Sequence, residues 1–210
     1  MNSEQQDTSL ETLKEIRSIM ERSARFLSLS GWSGVWAGGA ALAGAAVAYR
    51  WLNDASFYSS QAMTRGTFMD LYFLRYFVLA VLIFGTAFAG GFYFTYKKNK
   101  EAGITMWNSA SRKMVINLAI PLAAGAVVTL AFAWRGDWIY VSPACLIFYG
   151  LALINGSKYT VSDIKYLGLT EVVLGCIALF MNPGYGLYLW AFGFGVLHIV
   201  YGIIMWRKYD

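Results

Sequence analysis

Polar residues dominate the first thirty positions of the chain, and then the pattern changes. Apolar runs of roughly 20 residues follow one another to the C-terminus, separated by polar connections; runs of that length exceed ordinary core helices and read as membrane spans. Six are expected: Gly31 to Leu52, Leu71 to Tyr96, Met114 to Trp134, Trp138 to Gly156, Val161 to Met181 and Tyr185 to Trp206. The connection after the first span, Asn53 to Asp70, has room for a short interfacial helix. The expected fold is therefore an all-α polytopic membrane protein. It has a cytoplasmic amphipathic helix over 1–30 and a transmembrane domain over 31–210, the latter as hairpins 31–96, 114–156 and 161–206.

The polar start has a period of its own. Thr8 and Glu11 fit a capping box, and Leu10, Leu13, Ile16, Ile19 and Met20 recur on one helical face. Arg17–Glu21 and Glu21–Arg25 are i,i+4 pairs on the other. Two readings fit: a helix lying on the cytoplasmic leaflet, which is favoured, or a docking helix for a protein partner. A secretory signal would place an apolar segment directly after a basic start, so none is expected where about 28 polar, amphipathic residues come first.

Composition sharpens this. The chain is 58% hydrophobic and only 14% charged, against about 25% charged in a typical soluble domain. Its net charge of +5 would suit nucleic acid, but the distribution of basic residues has a better reading in topology. Lys14, Arg17, Arg22 and Arg25, then Lys97, Lys98, Lys100, Arg112 and Lys113, then Lys158 and Lys165, and finally Arg207 and Lys208 all fall on one side of the six spans. Arg50, Arg65, Arg75 and Arg135 fall on the other. The positive-inside rule makes the richer side cytoplasmic, so both termini are expected inside a bacterial inner membrane and no nucleic-acid partner is expected.

The spans also align with one another. "SGVWAGGAAL" in the first and "TEVVLGCIAL" in the fifth superpose with Ser33 on Thr170 and Gly38 on Gly175; "PLAAGAVVTL" in the third brings Gly125 to the same place. The returning spans match through "FYGLAL" at Phe148 and "VYGIIM" at Val200, with a weaker "AGGFYF" at Ala89. A threefold hairpin repeat is expected. Its small residues, such as Gly34-xxx-Gly38, permit close helix approach in lipid. That approach is expected within one chain before a seam between copies of a homo-oligomer.

The C-terminal stretch "LGCIALFMNPGYGLYLWAFGFGVLHIVYGIIMWRKYD", with "IRSIMERSARFLSLSG" near the start, resembles a group of uncharacterised six-span bacterial membrane proteins common in Bacteroidota. The glycine–apolar–proline hairpins are similar, more loosely, to the short repeats of HdeD-type membrane proteins. That second resemblance implies at most a stress-related membrane role, and neither supplies a catalytic motif.

Chemistry is confined to few side chains. Glu171, in "GLTEVVLG", lies at membrane depth, where a charge costs about 2.5–3.5 kcal/mol and calls for a partner, water or a proton. The single histidine, His198, is in the next span. At 1.5 Å per residue the two lie about 18 and about 21 Å from the turn at Pro183 and Gly184, hence at matching depth. Gly168, Glu171 and Gly175 share one spacing, and Gly195, His198 and Gly202 repeat it, so both groups are expected to point into the bundle. The pair reads either as a neutral hydrogen-bonded lock on helix register or as a proton-handling site, with Thr170, Tyr166 and Tyr201 as a supporting network.

One histidine and two in-span cysteines, Cys145 and Cys176, cannot build a multi-histidine iron site or a His/Cys zinc site, so no metal and no cofactor is expected. The chain lacks a Walker loop, a G-x-S-x-G elbow and a dinucleotide fingerprint. The expected function is non-enzymatic: a membrane scaffold, sensor or accessory protein acting through partners. The alternative is a small proton-coupled transporter or channel built on Glu171 and His198.

Overall fold

The structure, a computed structural model, describes Thr12, Leu13, Ile16 and residues 30–53, 65–103 and 105–209. The N-terminal capping box lies outside the described residues, as do residues 54–64 of the connection expected to hold an interfacial helix, whose last part, 65–70, is the start of the second long helix; Thr12, Leu13 and Ile16 are helical and exposed. Everything described is built on helix. We label the long elements α1 (Gly31–Leu52), α2 (Arg65–Glu101), α3 (Ser109–Arg135), α4 (Val141–Gly156), α5 (Ile164–Phe180) and α6 (Gly186–Tyr209).

Local chemistry sets several of these boundaries. Asn108 caps α3 by accepting from the Ser111 backbone at 2.8 Å, while the Ser111 hydroxyl receives the Asn108 N–H at 2.8 Å. Gly136 ends the same helix at φ 81°, a left-handed conformation that a side chain would strain, and its N–H reaches the last carbonyls. Short 3-10 turns, Trp138–Tyr140, Ser157–Tyr159 and Pro183–Tyr185, tighten the later connections.

Four elements are long and apolar enough to cross a membrane: Phe73–Glu101, Ser109–Arg135, Trp138–Tyr159 and Gly186–Tyr209. The other two expected spans form helices of a different character. α1 is diluted by glycine and alanine, and α5 is 17 residues long. α2 exceeds its expected bounds at both ends.

The helices pack as two groups of three. α1 lies between α2 and α6; α4 lies between α3 and α5. α5 packs on α4 far more than on α6, its expected hairpin partner. Two seams bring backbones together through glycine. A Cβ on Gly202 would stand 2.6 Å from the Val35 nitrogen and 2.8 Å from the Gly31 oxygen. A Cβ on Gly150 would stand 2.8 Å from the Val172 nitrogen and 2.5 Å from the Gly168 oxygen. A Cβ on Gly38 would stand 2.6 Å from the Gly195 oxygen and 3.0 Å from the Ile199 nitrogen, and one on Gly175 would stand 3.0 Å from both the Pro143 oxygen and the Ile147 nitrogen. The α1–α6 and α5–α4 crossings thus use residues in one register, that of Ser33 on Thr170 and Val200 on Phe148.

The ends of the bundle are distinct. At one, Trp32 packs on Trp206 with ring centres 5.7 Å apart, Lys98 donates to the Tyr209 carbonyl at 3.0 Å, and Lys208 pairs with Asp163 at 2.9 Å. The start of α1 and the end of α6 therefore share this end with the basic connections. At the other, Trp51, Tyr76 and Trp138 form an aromatic chain with the Arg75 guanidinium 5.4 Å above the Trp51 ring.

Candidate functional site

The polar interior lies where the two groups of helices meet. α6 is not a uniform α-helix: Gly186–Trp190 is α, Ala191–Leu197 is a π segment, and His198–Tyr209 is α again. A π turn inserts one extra residue and leaves α-type carbonyls open to other donors. His198 follows it directly. Its Nδ1 lies 2.9 Å from the Gly193 carbonyl, five residues back, and its Nε2 lies 2.7 Å from the Tyr149 hydroxyl of α4. A carbonyl can only accept, so Nδ1 carries a proton and donates to it. In the neutral ring Nε2 then accepts from the Tyr149 O–H. Both nitrogens are thereby used, and the ring lies along Phe194 at 5.8 Å and 14°.

Glu171 arrives from α5. The residue is 0% exposed, and its Oε1 stands 3.5 Å from His198 Nδ1. That separation qualifies as an ionic approach but is too long for a charge-assisted hydrogen bond, which closes to about 2.7–2.9 Å. Neither carboxyl oxygen has a hydrogen-bond partner. Oε2 rests against the Cα of Gly193, where a Cβ would collide with it and with Leu146 Cδ2. The π-turn glycine therefore makes the space that the carboxyl fills. An unsatisfied neutral polar group of this kind costs about 1–3 kcal/mol, and an unpaired buried ion costs more.

The structure thus brings Glu171 and His198 together, at the matched depth expected, although by a different route. The Gly168/Gly175 stripe faces α4 and the Gly195 and Gly202 positions face α1, so the two stripes do not face each other. The other expected residues lie elsewhere. Thr170 donates to the carbonyls of Leu167 (2.8 Å) and Tyr166 (3.1 Å) on its own helix. Tyr166 is 60% exposed. Tyr201 is half-buried, and no hydrogen bond among the described residues joins it to the cluster. The tyrosine that completes the cluster is Tyr149, which holds in "FYGLAL" the place Tyr201 holds in "VYGIIM"; that correspondence was the available signal. Leu146 and Gly193 carried none.

Cys145 Sγ lies 3.9 Å from the Thr129 hydroxyl, and Cys176 is exposed; both are free thiols. Among the described residues no group of three or more His, Cys, Asp or Glu side chains could hold a metal ion. What the cluster offers chemically is one buried carboxyl, one buried imidazole and one half-buried phenol sharing few protons. No protein-family model, no curated protein and no solved structure matches the chain.

Proposed function

We propose that this chain is a non-enzymatic scaffold, sensor or accessory protein of the bacterial inner membrane, with six spans in three hairpins and both termini cytoplasmic. The observation that carries the functional reading is the closure of the polar cluster on itself. Both nitrogens of His198 are occupied by Tyr149 and Gly193, and Glu171 is fully buried against glycine and leucine. Groups consumed inside the packing fix the bundle and respond to it. The repeat is supported by the shared register of the two glycine crossings. The orientation is supported by the gathering of Lys98, Lys158, Lys165 and Lys208 at the end where α1 starts and α6 stops.

A second reading, the proton-coupled transporter or channel, is favoured by one observation: the two unpartnered oxygens of Glu171. Proteoliposomes separate the readings. The scaffold predicts no proton flux above empty liposomes, with wild type and Glu171→Gln alike. It also predicts a stoichiometric partner on purification in mild detergent, released when residues 1–30 are removed. Flux in wild type that Glu171→Gln abolishes would replace it with the transporter.

A further inference from the structure

We propose that Glu171 is a single-proton binding site whose occupancy decides which acceptor holds the Nδ1–H of His198, and through it whether α6 keeps its π turn. Two acceptors flank that N–H. The Gly193 carbonyl holds it at 2.9 Å, and Glu171 Oε1 waits at 3.5 Å. They are adjacent by construction, because Oε2 of the same carboxyl rests on the Cα of Gly193. The titratable groups that face Glu171 are His198 from α6 and Tyr149 from α4; Leu146 supplies the apolar wall.

With its proton on, the carboxyl is neutral and a weak acceptor, and the N–H stays with the carbonyl. The N–H on the carbonyl is the arrangement in the structure. When the proton leaves for water, a carboxylate remains, and the Tyr149 O–H cannot serve it because that hydrogen is committed to Nε2 on the far edge of the ring. The Nδ1–H is the donor at hand. Charge-assisted bonds are roughly twice as strong as neutral ones, so the carboxylate takes it by closing about 0.7 Å. The imidazole stays neutral throughout, and the one charge created is that of Glu171.

Gly193 O then loses its side-chain donor. It keeps its π-type backbone donor, the N–H of His198, and gains room for the α-type one, the N–H of Leu197; taking the second in place of the first removes the π turn. One residue of register is about 100° of rotation and about 1.5 Å of rise, imposed on Gly186–Trp190 upstream. That segment is tied to α4 by Ser142, whose hydroxyl donates to the Gly186 carbonyl at 2.5 Å, and to α1 by Tyr188 against Tyr49 at 6.1 Å. A proton gained or lost in the interior is therefore read at the end of the bundle. As an input to a sensor this rests on the reading above, but its chemistry needs no partner. A failed titration leaves the scaffold standing, and a failed co-purification leaves the proton site standing.

The chain has one histidine, so histidine-specific 15N labelling gives a spectrum of His198 alone. The experiment is a titration of the full chain in lipid nanodiscs from about pH 5 to about pH 9, the range that buried carboxyls reach. The expected result is a wild-type Nδ1 resonance, protonated throughout, that moves between two positions with a one-proton profile. Glu171→Gln should stay at the acid position at every pH. A wild-type spectrum without change, or a Glu171→Gln protein that titrates at the wild-type midpoint, overturns the proposal. Should that variant not fold, the infrared C=O stretch of the protonated carboxyl in wild type must disappear at the same midpoint; a different midpoint overturns it equally.

Discussion

Gly193 matters for the side chain it lacks. Its Cα is the floor under the Glu171 carboxyl, and a methyl group there meets both that oxygen and Leu146. Gly193→Ala should therefore overpack the interior by about 1–3 kcal/mol, read as a lower thermal unfolding midpoint in detergent. Combining it with Glu171→Ala should cost less than the two changes summed, because the second removes the atom the first collides with. A fully additive pair would show that the two residues do not share this space. The approach of Glu171 to His198 was legible from the sequence because depth is a matter of counting residues from a turn. Tyr149 was not, since a tyrosine sits at the same repeat position in two spans and only helix rotation decides which one faces inward.

Two helix crossings, α1 on α6 and α4 on α5, rest on backbone meeting backbone. In lipid there is little hydrophobic drive to hold helices together, and such close approach supplies dispersion contact instead. Gly202→Val and Gly150→Val each direct a side chain at a main-chain nitrogen within 2.8 Å or less, and neither nitrogen can yield without moving its helix. Each should lower resistance to unfolding in detergent by a similar amount, whereas Gly85→Ala, with nothing within 4 Å, should be neutral. A mild Gly202→Val beside a severe Gly150→Val would separate the two crossings and weaken the repeat. The small-residue pattern made helix contact legible here. It could not name the partner, because a glycine stripe fits any helix that presents a matching groove. Nor did periodicity announce the π turn, whose extra residue is set by glycine and by the His198 side chain rather than by apolar spacing.

At the scale of the whole molecule, Lys98 and Lys208 gather at the end where Trp32 meets Trp206, and the Trp51–Tyr76–Trp138 chain marks the other. Reporter fusions should follow: green fluorescent protein after Tyr209 should fluoresce and alkaline phosphatase after Gly103 should be inactive, while alkaline phosphatase after Gly136 should be active. The reverse pattern would invert the orientation. Six apolar runs were visible in the sequence, and helices occupy all six, yet four are long and apolar enough to cross a membrane. The difference lies in composition and length: glycine and alanine dilute α1, and α5 has 17 residues. The pairing of α1 with α6 also has a bearing on biosynthesis. α1 finds its glycine partner in α6, so the seam between them closes only after α6 has been made. Until then the close-approach surface of Gly31, Gly34 and Gly38 stands uncovered, and the docking of α6 closes it.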